Sequence, residues 1–236
     1  PEEARVEDTI TCEILSAGTD DPDDDAITTS WTWTVDGAVV SATSTTPTAT
    51  TLAGAFRLGE TVACRADTED GRGGTGSDTA EVIISNTGPS MDSVVVTPST
   101  AQVGETFTCT ANASDVDEES LTIAYEWSVE DEIIGTESTY TVTSEEDPGD
   151  AVICAAFVTD AAGETAADAS FGTVVNTAPE LVSVTITPDT GHIGDTLTCT
   201  ATATDEDGDA LIYSYTWGDG SEGESYTIAA DDAPGD

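Results

Sequence analysis

The sequence contains no lysine and only four arginines, Arg5, Arg57, Arg65 and Arg72, against 48 acidic residues, which leaves a formal net charge of -44 over 236 residues. A chain so poor in cations cannot build the basic face that a phosphate backbone requires, so nucleic acid is excluded as a partner. Such an excess of one sign repels itself and is tolerated where salt or bound divalent cations screen it, which points to a saline, calcium-containing exterior. Histidine is nearly absent too. His192 is the single copy, and it falls in a turn, where a surface role outweighs that of a general base. Carboxylates are so common that no pair stands out as a glycosidase dyad, and we expect no enzyme. The longest unbroken apolar run, Ala151 to Val158, is far below the roughly 18 residues of a membrane span. No charged-then-apolar leader opens the chain, which starts at a proline, so we expect that residue 1 is not a native start. A helical period is missing throughout.

Strand alternation is present instead. Phe107, Cys109 and Ala111 share one face of their run and the intervening threonines take the other. Leu121, Ile123, Tyr125, Trp127 and Val129 point one way in the next run, and Val152, Cys154, Ala156 and Val158 in a third. A cysteine strand, a tryptophan strand and a second cysteine strand facing one core are the mark of an immunoglobulin-like sandwich, in which a disulfide joins the sheets and the indole packs on it.

The pattern recurs. Cys12, Cys109 and Cys199 each end a related segment, best seen in Val103-Gly104-Glu105-Thr106-Phe107-Thr108-Cys109 and Ile193-Gly194-Asp195-Thr196-Leu197-Thr198-Cys199. The intervals are close to the about 100 residues of one such sandwich. Trp33, Trp127 and Trp217 repeat in step, and Asn86-Thr87-Gly88-Pro89 and Asn176-Thr177-Ala178-Pro179 mark the boundaries. The expected fold is therefore all-β, with tandem immunoglobulin-like β-sandwich domains stacked end to end at 1-87, 88-177 and 178-236. By this register the first domain lacks its opening strand and the third its last strands. Strands are expected at Ile27 to Val35, Val82 to Ser85, Val94 to Val96, Val182 to Ile186, Leu211 to Trp217 and Ser225 to Ala229.

The repeat resembles the immunoglobulin-like and PKD-like (cadherin-like) modules of prokaryotic cell-surface proteins. The phrase Thr204-Asp205-Glu206-Asp207-Gly208-Asp209-Ala210-Leu211, followed by Tyr213, Tyr215 and Trp217, and the junction Asn176-Thr177-Ala178-Pro179 carry that likeness. Val62 and Val152 stand where antibody-type domains carry a tyrosine corner, two residues before the second cysteine. Cysteines set in strands rather than in CxxC clusters favour disulfides over zinc and an oxidising compartment. Repeat register pairs Cys12 with Cys64 and Cys109 with Cys154, and leaves Cys199 without its partner.

Acidic turns between the first cysteine strand and the tryptophan strand are the best functional candidates. They hold Asp20, Asp21, Asp23, Asp24 and Asp25 in the first repeat, Asp115, Asp117, Glu118 and Glu119 in the second, and Asp205, Glu206, Asp207 and Asp209 in the third. Carboxylates at alternate positions can turn toward one hard cation, though a solvated acidic turn reads the same way. The spacing is not that of an EF-hand, because Gly208 comes too early and Thr216 stands where a bidentate glutamate should. Topology would place calcium, if bound, at the joints. At the second joint it would draw Glu105, Glu145, Glu146, Asp147 and Asp150 toward Asn176, Asp205, Asp207 and Asp209. The first joint, with Glu7, Glu60 and Arg57 facing Asp115 and Asp117, is expected to bind more weakly. Asn112-Ala113-Ser114 is the one glycosylation sequon. These features imply a structural module of a long extracellular fibre, stalk or adhesin, whose partners are other copies or repeats of the same chain, as in a filament, or surface glycans. A carbohydrate- or protein-binding module and a spacer of a large secreted hydrolase are the alternatives.

Overall fold

The computed structural model describes residues 3-15, 21, 23, 25-230 and 232. Among these every regular element is a β-strand and none is a helix. Contacts divide the chain into two compact units: Pro1–Ser93 with Asn112–Ile123 and Phe157–Ala167, and Val94–Ala111 with Ala124–Ala156 and Asp168–Asp236.

The first seven strands are β1 (Thr9–Glu13), β2 (Thr28–Val35), β3 (Ala38–Val40), β4 (Ser44–Thr45), β5 (Ala49–Ala53), β6 (Thr61–Glu69) and β7 (Thr75–Ile83). They form two sheets, β3-β2-β6-β7 and β1-β5-β4. Asp36 and Gly37 both take positive φ, 48° and 79°, which is the two-residue turn that matches strand twist and closes the β2-β3 hairpin. Alternation puts Ile10, Leu52, Val62 and Cys64 inward, where they pack with Trp33, Phe56 and Ile84. The Trp33 indole donates to the buried Thr50 hydroxyl at 3.1 Å, so its polar tip is satisfied within the core. Cys12 on β1 and Cys64 on β6 are joined, tying one sheet to the other.

The next eight strands are β8 (Ser90–Thr97), β9 (Thr100–Ala101), β10 (Thr106–Ser114), β11 (Thr122–Val129), β12 (Glu132–Gly135), β13 (Thr139–Thr141), β14 (Ala151–Thr159) and β15 (Thr165–Val174). Their sheets are β12-β11-β14-β15-β9 and β13-β10-β8. Cys109 on β10 and Cys154 on β14 again bridge the pair. Around them pack Val96, Phe107, Trp127, Val142, Val152 and Val174, with Trp127 and Phe107 both fully buried. The β11-β12 turn uses Glu130 and Asp131 at φ 48° and 69°, so the first repeat's hairpin geometry is kept without glycine.

The last strands are β16 (Glu180–Thr187), β17 (Thr196–Thr204) and β18 (Ser225–Thr227), in one sheet ordered β16-β17-β18. Leu211 to Trp217, expected as a strand, is irregular apart from a single bridge between Thr216 and Glu222. Its counterpart β11 lies between β12 and β14. No strand among the described residues of the third repeat offers those partners, and backbone groups without a ladder find bonds in turns and water instead. Cys199 on β17 is a free thiol. The expected first-repeat strand at Val82 to Ser85 belongs to the longer β7, with Ile84 bridged to Ala4.

Candidate metal centre

The turn between β10 and β11 carries Asp115, Asp117 and Glu119, the turn after β14 carries Asp160, and Asn86 and Thr87 follow β7. All six residues lie in the first compact unit. The three aspartates are anchored by backbone or amide donors. Asp115 Oδ1 accepts the Asp117 N–H at 2.7 Å, which folds the turn on itself. Asp117 Oδ2 accepts the Thr87 N–H. Asp160 Oδ1 accepts the Glu164 N–H at 2.8 Å and Oδ2 the Asn86 amide at 2.9 Å.

Anchoring uses one side of this group and leaves the other bare. Asp115 Oδ2, Asp117 Oδ1, Glu119 Oε2, Asn86 Oδ1 and Thr87 Oγ1 are buried and have no hydrogen-bond partner. Ligand oxygens of Asp115, Glu119 and Asp160 lie within 4.8 Å of one another. Asp160 is a buried carboxylate, only 6% exposed. Burial pushes its pKa up, but the Asn86 amide and the N–H groups of Glu164, Gly163 and Ala162 outweigh that and hold it below the usual range. Glu119 goes the other way. Burial and the charges of Asp160, Asp115 and Asp117 raise it. The described ion pairs of arginine lie elsewhere, Arg65 with Asp67 and Arg72 with Asp25. The donor set is entirely oxygen, which suits a hard cation and not a soft one.

A second cluster joins Asp205, Asp207 and Asp209, whose ligand oxygens also lie within 4.8 Å of one another. Asp205 Oδ1 accepts the N–H groups of Asp207 and Asp209 at 3.0 and 3.3 Å. Asp207 accepts the Thr177 N–H and, at 3.1 Å, the Thr177 hydroxyl. Thr87 with Asp117 and Thr177 with Asp207 are thus the same contact in two repeats, each spanning 30 residues. No buried unpartnered oxygen is found in this second cluster among the described residues.

Other predicted ligands are engaged elsewhere. Asp150 Oδ2 accepts the Asp147 N–H at 2.9 Å, Glu105 accepts the Gln102 N–H at 2.9 Å, and Glu146 accepts from Tyr140 and Thr143. These are turn-closing contacts, and neither Asp147 nor Asp150 joins the Asp205 group. The Asn176 side-chain amide donates to the Thr177 carbonyl, and the Asn176 backbone carbonyl accepts from the Gln102 amide. In the first-repeat turn, Asp20 and Asp24 lie outside the described residues, and Asp21 Oδ1 accepts from Asp23 N–H and Asp25 N–H. The Asn112 side chain is exposed and donates to Ser93 at 3.1 Å. Sequence reasoning had Asp115, Asp117 and Glu119 in this turn but missed Asn86, Thr87 and Asp160 beside them, and it made the first junction the poorer one, whereas among the described residues the buried unpartnered oxygens are found there.

No family model and no curated protein matches the chain. Solved structures that resemble it include the N-terminal eight Ig domains of the Down syndrome cell adhesion molecule, at 14% identity and a TM-score of 0.44, covering 85% of this chain and 26% of that one. Fibronectin(III)-like modules of Clostridium thermocellum CbhA align at 16% identity and a TM-score of 0.28, covering 74% of this chain and 89% of that one. Bacteroides ovatus SGBP-B, solved with a mixed-linkage heptasaccharide, aligns at 14% identity and 0.26, covering 96% and 65%. The chain spans about a quarter of the first of these. Its own strand order and its two sheet-crossing disulfides establish the immunoglobulin-like architecture.

Proposed function

We propose that this chain is a structural segment of an extracellular fibre, stalk or adhesin, built from disulfide-locked sandwiches whose acidic turns take calcium. The observation that carries this reading is the repeated core, in which a sheet-to-sheet disulfide packs with a buried tryptophan, Trp33 in one case and Trp127 in the other. Disulfides persist in oxidising compartments, and one that closes a long loop resists unfolding by limiting the denatured chain. Such a core suits a part that bears load outside the cell. Its partners are neighbouring repeats or copies of the same kind of module.

In this reading we assign no catalytic group among the described residues. His192 has a side chain 97% exposed, with only Asp195 beside it at 3.6 Å. The shallow hollow between β2, β6 and β7 is lined by Thr28, Ser30, Arg65 and Asp67, and the Arg65–Asp67 ion pair occupies its polar groups. Trp31, the extra aromatic that a glycan platform would use, packs against the core and gives its indole N–H to the Thr46 carbonyl at 3.1 Å.

Single-molecule pulling tests the load-bearing reading. Without reductant, extension should omit the stretches of 52 and 45 residues sequestered behind the two disulfides. Reductant should release them at about 3.3 to 3.6 Å per residue. A chain that extends fully at low force without reductant contradicts a mechanical role.

A further inference from the structure

We propose that Asn86, Thr87, Asp115, Asp117, Glu119 and Asp160 form a binding site for one calcium ion, which fastens the Asn86-Thr87 segment to the turns at 115-119 and 160-164. The proposal deepens the reading of a calcium-bathed extracellular module by naming the site and its ligands. Among the described residues, five buried oxygens on five different residues lack any donor, and all belong to this one cluster. Buried acceptors are almost always paired, so a group of five implies a missing positive partner. An ordered water could serve one or two of them. It could not offset carboxylates whose ligand oxygens crowd within 4.8 Å.

The chemistry selects the ion. Four carboxylates, one amide oxygen and one hydroxyl make six protein oxygens, the lower end of calcium's usual coordination. Magnesium demands near-ideal octahedral geometry and keeps several waters, which a site supplying this many protein oxygens from three segments does not favour. Zinc and copper would look for nitrogen or sulfur. The anchoring bonds also act as an outer shell. Asp117 is held by the Thr87 N–H, Asp115 by the Asp117 N–H, and Asp160 by both Glu164 and Asn86. At Asp115 and Asp117 the bond fixes one oxygen and aims the other, as supporting contacts do around metal ligands, while both Asp160 oxygens are held in place and keep lone pairs for a cation. The Asp205 cluster draws its acids from one turn and has no such orphaned oxygens among the described residues, so it is the weaker of the two.

The test uses the full chain, stripped with chelator and titrated with calcium chloride by calorimetry in high sodium chloride, with a melting curve in each state. Wild type should show one tight binding event and a higher melting midpoint with calcium. Glu119→Gln is the deciding variant. Glu119 Oε2 accepts no hydrogen bond, so the substitution removes a ligand charge without breaking an anchor. It should leave the midpoint in chelator unchanged or higher, because like charges are relieved, and weaken the tight event about tenfold or more. Asp160→Asn should do the same to binding. Asp207→Asn should leave the tight event intact, and magnesium should bind at least about tenfold more weakly than calcium. Absence of heat and of any midpoint shift in wild type overturns the proposal, as does a Glu119→Gln chain that binds like wild type. Magnesium binding as tightly as calcium overturns the ion assignment. The pulling trace depends on the disulfides, so the site and the load-bearing role fail separately.

Discussion

Phe107 and Trp127 stack with ring centroids 6.3 Å apart and an interplanar angle of 25°, and both are completely buried beside the Cys109–Cys154 disulfide. Tyr140 lies on the indole at 6.0 Å, and the indole N–H reaches the Glu137 carbonyl at 2.9 Å. The core of the second repeat is thus an aromatic stack with its indole N–H and phenol hydroxyl both paired. Trp127→Ala should cost roughly 3 to 5 kcal/mol through the cavity it opens. Glu132→Ala, on the exposed end of a hairpin, should stay within about 0.5 kcal/mol. Denaturant midpoints of the two variants check this, and equal effects would contradict the assignment of strand faces.

Gly172 sits in β15 under the same stack. A Cβ there would stand 2.3 Å from Cε1 of Phe107 and 2.7 Å from its Cζ. The ring is buried and cannot swing away, so Gly172→Ala should destabilise by about 1 to 3 kcal/mol through overpacking. The glycine marks a close approach, which is one of the few reasons for glycine inside a strand. Pairing the change with Phe107→Leu should recover part of the loss in a double-mutant comparison. A neutral Gly172→Ala alone would mean that the stack is loose.

Alkali should find a specific weak point. Burial, and then the hydrogen bond from the Tyr140 hydroxyl to Glu146 at 2.7 Å, raise the phenol well above its ordinary pKa of about 10. An acid whose folded pKa is raised keeps its proton in the native state while the unfolded chain loses it. Stability is therefore full below about pH 10 and falls as pH rises beyond that value. The melting midpoint of wild type should drop more steeply above about pH 10 than that of Tyr140→Phe, which has no proton to lose. Parallel curves would contradict the Tyr140–Glu146 contact.

Much of the fold could be read from the sequence because a strand has a period of two and a sandwich has one inner face. Cys109, Cys154 and Trp127 fall inward by alternation alone. Leu211 to Trp217 has the same alternation and still is not a strand, since alternation sets a face whereas a strand also needs a neighbour to bond. The candidate metal centre was half legible. Asp115 and Asp117 stand out at alternate positions, but Asp160 is brought to them by the return of β14, and no local pattern announces that. Its signal was a lone aspartate at the end of an inward strand, three residues before Gly163. Asn86 and Thr87 were read as a boundary, and a boundary residue held by a neighbouring turn can also be a ligand. Asp147 and Asp150 lie outside both acidic groups, and Asp150 closes its own turn, as an aspartate there so often does.

A repeated sandwich with a disulfide across the core underlies the whole architecture, and peptide mapping under non-reducing conditions tests that most directly. Digestion with thiols blocked should recover Cys12 linked to Cys64 and Cys109 linked to Cys154, with Cys199 carrying the alkylating label. Recovery of Cys12 linked to Cys109, or of Cys64 linked to Cys154, would contradict the repeat register and every core built on it.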